Sequence, residues 1–278
     1  MSLDVSKVGS TTDCYELAYD WKTLGLYALG IGAKRDELPY LYEAHGPKVY
    51  PSFGVVPAYA LLEPLIGLCG GNAAMMVHGG QVVRQFEELP PSGTLSTVGT
   101  LTGVYDMKKF AQVVFTTESS LDGKKIFETE WSVIFRDGGG FGGPRPPKRK
   151  IVKIPKDTDP TWSFEEFISP EQALLYRLSG DHNPLHADPK FAKEVGFERG
   201  PILHGLASYG YVCRAVAIKS CGGEANKIAS LQSQFRNPIW PADTIVHDAY
   251  DVDGEILLKS YSREEPDTIV AISVATLR

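Results

Sequence analysis

The chain is interrupted almost at its midpoint by Asp-Gly-Gly-Gly-Phe-Gly-Gly-Pro-Arg-Pro-Pro, residues 137–147. Glycine dissolves regular structure and proline forbids its resumption, so this stretch is a loop or linker. It leaves two segments of domain size, 1–147 and 148–278. A break at that place invites a search for an internal repeat, and a short one is present. Gln85-Phe86 followed by Pro91-Ser92-Gly93-Thr94-Leu95 matches Gln234-Phe235 followed by Pro241-Ala242-Asp243-Thr244-Ile245. Each match leads into strand-like sequence and a turn signal, Asp122-Gly123 or Asp253-Gly254, and each half closes on a β-rich segment. The order of elements points to duplication.

Within each half an apolar helical stretch precedes a run of strands. Helices are expected at Ala58–Leu68 and His204–Ser220; in the second, Leu206, Tyr209, Val212, Cys213, Val216 and Ala217 fall on one face. Strands are expected at Leu95–Tyr105, Gln112–Ser119 and Lys125–Phe135. Their counterparts are Ile228–Phe235, Asp243–Val252, Ile256–Tyr261 and Ile269–Thr276. No helices separate these strands, so they are antiparallel and the class is α+β. Apolar residues reach 43% and exclude global disorder. A net charge of −6 argues against a nucleic-acid partner, and no apolar run is long enough for a membrane span. The four cysteines have no Cys-x-x-Cys spacing and read as ordinary thiols in a reducing compartment.

Chemistry concentrates in Ser179-Gly180-Asp181-His182-Asn183-Pro184-Leu185-His186-Ala187-Asp188-Pro189. Its glycine and prolines make a rigid irregular loop that displays an acid and an imidazole, Asp181 and His186. Asp181 also suits an Asx turn, Asp188 before Pro189 suits a helix cap, and His182 is expected to face solvent. A second loop, Gly200-Pro201-Ile202-Leu203-His204-Gly205, feeds the second long helix, whose unpaired N–H groups suit a developing oxyanion. His204 either packs there or orients the loop. A metal site on His182, His186 and Asp188 is the competing reading, weakened because Pro184 opposes a helix between the two histidines. No Gly-x-Ser-x-Gly elbow, Rossmann fingerprint or phosphate loop is present.

At Tyr176–Pro189 and Pro201–Leu206 the sequence resembles the MaoC-like 2-enoyl-CoA hydratase 2 family, which includes the hydratase region of peroxisomal multifunctional enzyme type 2. Leu26–Ala33, Pro51-Ser52-Phe53-Gly54 and the glycine-rich linker support it, so the likeness spans nearly the whole chain. One departure is an extra residue in Glu198-Arg199-Gly200 before the Pro-Ile-Leu-His-Gly run. The resemblance implies a double hot-dog fold: 1–147 accommodates the acyl chain and 148–278 carries the one catalytic loop. It implies (3R)-specific hydration of trans-2-enoyl-CoA in fatty-acid β-oxidation, a hydro-lyase reaction without metal or redox cofactor. Asp181 and His186 are the implied acid–base pair, Asn183 the orienting amide and Gly205 N–H the oxyanion donor. His204 and Pro201 are expected to bind substrate, and Arg145 and Lys148 to meet the CoA phosphates, although a solvated linker explains the basic run equally well. A homodimer and a peroxisomal location are further expectations, the latter without a targeting tripeptide at Ala275-Thr276-Leu277-Arg278. The alternatives on this fold are an acyl-CoA thioesterase and a non-catalytic acyl-CoA binding module.

Overall fold

A computed structural model describes residues 3–72, 75–147, 153–155 and 158–278. Ten strands form a single antiparallel sheet: β1 Tyr15–Tyr19, β2 Met76–Gln85, β3 Gly93–Asp106, β4 Ala111–Leu121, β5 Lys124–Phe135, β6 Trp162–Phe167, β7 Ile228–Phe235, β8 Thr244–Val252, β9 Glu255–Ser262 and β10 Glu265–Leu277. Their order, β1-β3-β4-β5-β2-β7-β10-β9-β8-β6, is the same five-strand layout run outward in both directions from a shared centre. At that centre Val82 pairs with Gln232 and Val83 with Leu231. The offset that carries Gln85 onto Gln234 exchanges these two rungs, so the local two-fold passes between them. The repeat in the sequence is therefore a repeat in the fold, and the sheet has the double hot-dog arrangement.

The helices are α1 Trp21–Gly30, α2 Leu38–Leu41, α3 Val55–Tyr59, α4 Leu62–Cys69, α5 Gln172–Tyr176, α6 Pro189–Glu194 and α7 Gly205–Ser220. Sequence periodicity expected one helix at Ala58–Leu68, but the chain forms α3 and α4, bent by 59°. Pro64 is the physical cause: its ring has no N–H to donate and crowds the carbonyl of Ala60 one turn earlier. The counterpart α7 contains no proline and runs unbroken for 16 residues. Among the described residues no single helix is long and apolar enough to cross a membrane.

The expected apolar face of α7 is buried, yet so are Ala207, Ser208, Gly210, Tyr211, Arg214 and Ala215 on its other sides. The sheet covers one side, and the first unit covers the rest. A side chain at Gly210 would collide with Ile31, and one at Gly32 with the Tyr211 ring. The guanidinium of Arg214 reaches Glu37 of the first unit through Nη2 (2.5 Å) and Nε (3.0 Å), and Glu166 of the second through Nη1 (2.8 Å). The two units thus share one interior. Strands β1, β2 and β6 escaped the periodicity reading. The first and last are five- and six-residue edge strands, and Gly79-Gly80 with the bulge at His78 disrupts the alternation of β2.

Candidate active site

The loop between α5 and α6 is built from local turns. After a 3₁₀ turn at Arg177–Ser179, Gly180 takes φ +123°, a conformation that only glycine adopts easily. Asp181 then closes an Asx turn, its Oδ1 accepting the Asn183 N–H at 3.2 Å. Asn183 Oδ1 accepts the Leu185 N–H at 3.0 Å and starts the 3₁₀ turn Pro184–His186. Asp188 caps α6 by accepting from Lys190 and Phe191, as expected. This scaffold turns His182 outward to solvent, also as expected, and buries His186.

The tautomers of both buried imidazoles follow from their partners. His186 Nδ1 lies 2.9 Å from the Ile202 carbonyl. A carbonyl only accepts, so Nδ1 holds the proton and Nε2 is the bare nitrogen. His204 Nε2 lies 3.1 Å from the Asp181 carbonyl and is protonated by the same logic. Its Nδ1 lone pair is buried and has no hydrogen-bond partner among the described residues. The two rings stack with centroids 3.8 Å apart. Burial pushes the His186 pKa below the ordinary histidine value, with the Asp181 charge opposing. Burial and then the His186 neighbour push His204 down to about 3. Both rings are therefore neutral at pH 7. His204 is both a packing group and an orienting one, since it ties the Asp181 backbone to the start of α7.

One ligand atom each from Asp181, His186 and His204 fits within 4.8 Å of the others. The pair that matters for acid–base work is thus assembled, a carboxylate and an imidazole from one short loop. The same three donors also lie close enough together to hold a metal ion, with His186 Nδ1 turned to the Ile202 carbonyl and His204 Nε2 to the Asp181 carbonyl. The alternative set loses His182 to solvent and Asp188 to capping.

Gly205 is the first residue of α7, so its N–H has no acceptor within the helix and stands at the positive end of the helix dipole. Two cavities flank the pair. One, about 290 Å³, opens beside His186 and is lined by Leu174, Arg199, Pro201 and Trp240. The other, about 10 Å³, lies beside Asp181 among Val55, Val56, Tyr59, Tyr176 and Leu206. Pro201 thus reaches the site. Arg145 does not line either cavity; it is exposed and its charge helps hold the Asp106 carboxyl low, after hydrogen bonds from Gly140, Lys108 and Gly142. Lys148 lies outside the described residues. The basic group at the open cavity is Arg199, which stacks on Trp240 at 4.2 Å and pairs with Asp243 at 2.6 Å. It belongs to the segment with the extra residue.

The first unit also enters the site, at residues the sequence reading passed over. The Tyr59 hydroxyl donates to Asp181 Oδ1 at 2.8 Å. His78 on β2 stacks on Trp131 at 5.1 Å and meets Phe235 edge-on at 5.0 Å. A Cβ at Gly205 would touch the Phe235 ring at 3.8 Å. Desolvation pushes His78 down to about 4, against the opposing Gly80 carbonyl and the Asp181 charge. No spacing rule links these positions to the loop. The one hint was a tyrosine hydroxyl inside an apolar stretch.

Two tandem hot-dog units thus carry, among the described residues, a single acid–imidazole loop, on the second unit. Residues 17–137 match the model of the MFE-2 hydratase 2 N-terminal domain, and residues 151–269 that of the MaoC like domain. A probable enoyl-CoA hydratase 2 of Dictyostelium discoideum is 32% identical, over 100% of this chain and 97% of that protein. The peroxisomal enoyl-CoA hydratase 2 of Arabidopsis thaliana is 31% identical, over 91% of this chain and 88% of its own length. Among solved structures, a MaoC-like dehydratase from Phytophthora capsici superposes with a TM-score of 0.87 at 28% identity, covering 99% of this chain and 98% of that one. The chain belongs to the MaoC-like enoyl-CoA hydratase 2 family.

Proposed function

We propose that this protein adds water to trans-2-enoyl-CoA and forms (3R)-3-hydroxyacyl-CoA in fatty-acid β-oxidation. The observation that carries the reading is the neutral His186, with Nε2 bare, beside Asp181 at the mouth of a helix whose first N–H is unpaired. The water oxygen bonds to C3 while one water proton passes to His186 Nε2. The C2=C3 electrons move toward the thioester carbonyl, whose oxygen is held by Gly205 N–H. The enolate then collapses and C2 takes up a proton, returned from the imidazolium through Asp181. Atoms balance with no redox partner. Asn183 has its oxygen committed to Leu185, so its NH₂ group is what it offers to water or substrate. Arg199 at the open cavity suits the CoA phosphates better by position than Arg145. We further propose that the division of labour falls at the linker, with 1–147 supplying acyl space, that the protein is a homodimer, and that it works in peroxisomes. The peroxisomal name of the Arabidopsis relative supports the last point.

The direct test is loss of enoyl-thioester absorbance with crotonyl- and trans-2-decenoyl-CoA, with product chirality determined. A (3S) product sinks the assignment, and thiol release without hydration replaces it with a thioesterase. Ligand binding without turnover replaces it with a binding module. A pH–rate profile adds a finer check. His186 must be neutral to act as base, and its pKa lies below the usual value of about 6.5. The acidic limb of kcat/KM is therefore expected below pH 6.5; a limb above it contradicts His186 as the base.

The oxyanion donor is separately testable with Gly205→Pro. Proline is tolerated at the first position of a helix, and His204 already has the extended backbone (φ −58°, ψ 137°) that a following proline requires. The change deletes the N–H with little strain, so kcat should fall about 10²- to 10³-fold with the melting temperature held. Unaltered kcat would remove Gly205 from the mechanism.

A further inference from the structure

We propose that Tyr59 of the first unit is a positioning residue for Asp181 and, through the same hydrogen bond, the element that sets acyl chain length. This rests on the hydratase reading above. Tyr59 is the last residue of α3, where the chain turns before α4. Its hydroxyl donates to Asp181 Oδ1 at 2.8 Å, and its ring passes 4.0 Å from where a Cβ on Gly180 would stand. Burial first, then the Asp181 charge, hold its pKa far above neutral, so the hydroxyl is always a donor. Oδ1 also takes the Asn183 N–H, which leaves Oδ2 for water.

The same ring walls the apolar cavity beside Asp181. At about 10 Å³ that cavity holds at most about one water. The other cavity, about 290 Å³, is open and carries Arg199. A CoA thioester therefore enters from the His186 side, and its acyl tail runs toward Tyr59. A four-carbon acyl group reacts with the Tyr59–Asp181 bond intact. A long one has to displace the Tyr59 ring and so breaks the bond that orients the catalytic carboxylate. Chain length and carboxylate positioning are thereby coupled through one side chain.

Two variants separate the roles. Tyr59→Phe keeps the ring and deletes the hydroxyl. On crotonyl-CoA its kcat is expected to fall at least tenfold with KM within twofold, since a hydrogen bond to a charged group is lost. Tyr59→Ala removes the wall. Burial of each further methylene is worth about fourfold, so room for two raises the decenoyl-to-crotonyl ratio of kcat/KM more than tenfold over wild type. In Tyr59→Phe that ratio rises too, by loss on crotonyl-CoA alone, because decenoyl-CoA has already broken the bond in the wild type. A Tyr59→Phe kcat equal to wild type, or an unchanged ratio in folded Tyr59→Ala, overturns the proposal. Asp181→Asn run in parallel keeps the two readings apart: if it retains turnover, the hydratase site itself is misassigned.

Discussion

His186→Ala lowers kcat on crotonyl-CoA by about 10²- to 10⁴-fold, and Asp181→Asn falls in the same range. The reason is the geometry of one proton path. The Ile202 carbonyl holds the proton on Nδ1, which makes Nε2 the only basic nitrogen of the ring. Burial keeps that nitrogen unprotonated at neutral pH. Without it, nothing at the site takes the water proton at low cost, because His204 is displaced too far down in pKa to hold one. Without the Asp181 carboxylate the water loses its acceptor and C2 its proton route. The two groups act on one proton, so the double variant should cost little more than the worse single one. Asp181→Asn keeps an acceptor at Oδ1 and its melting temperature should stay close to that of the parent, whereas His186→Ala removes a buried, stacked ring and should melt somewhat lower. Wild-type turnover in both variants would rule out the pair.

Arg214→Met is the change expected to cost most in stability, about 3–5 kcal/mol. Arg214 is 1% exposed and is the only cation against Glu37 and Glu166 in the contacts described. Its removal strands the buried Glu166 carboxylate and leaves the half-buried Glu37 with only Tyr50 and the Lys34 N–H as donors. Burial raises the Glu37 pKa, but Arg214 and then Tyr50 outweigh it and hold the group low. For Glu166 burial wins, and the carboxyl stays raised despite Arg214. In a chain of this size the loss corresponds to a melting temperature about 10 °C lower. The sign with pH is also fixed. Carboxyls whose folded pKa is raised bind more protons folded than unfolded, so their penalty shrinks as pH falls. The gap between variant and parent should therefore narrow between pH 7 and pH 5, and adding Glu37→Gln should recover part of it. A single variant melting within about 2 °C of the parent would mean the triad contributes nothing.

Much of this architecture was legible from residues alone. The Asp137–Pro147 interruption, the Gln-Phe match and the strand alternation led to two antiparallel units, because glycine, proline and period-two burial act locally. The chemical loop was legible for the same reason. Gly180 and Pro184 force its turns whatever surrounds them, so Asp181, Asn183 and His186 are displayed by short-range rules. The break at Pro64 is readable in the same way, since a proline cannot donate to the turn before it.

What only the tertiary structure decided lies between the units. Tyr59 comes to Asp181 from the other half of the chain, as does His78, stacked on Trp131, to the Phe235 ring beside Gly205. Arg214 faces Glu37 across 177 residues of sequence. Such contacts arise when the β2–β7 rungs join two sheets into one, and no local propensity encodes them. The sequence by itself determined the repeated unit and the loop that bears the acid and the base. The fold of the second unit decided, through the Ile202 carbonyl, which nitrogen is bare, and the packing of one unit on the other decided how the carboxylate is held and how little room the acyl side offers. Those properties depend on desolvation and on partners distant along the chain, and both exist only in the folded state.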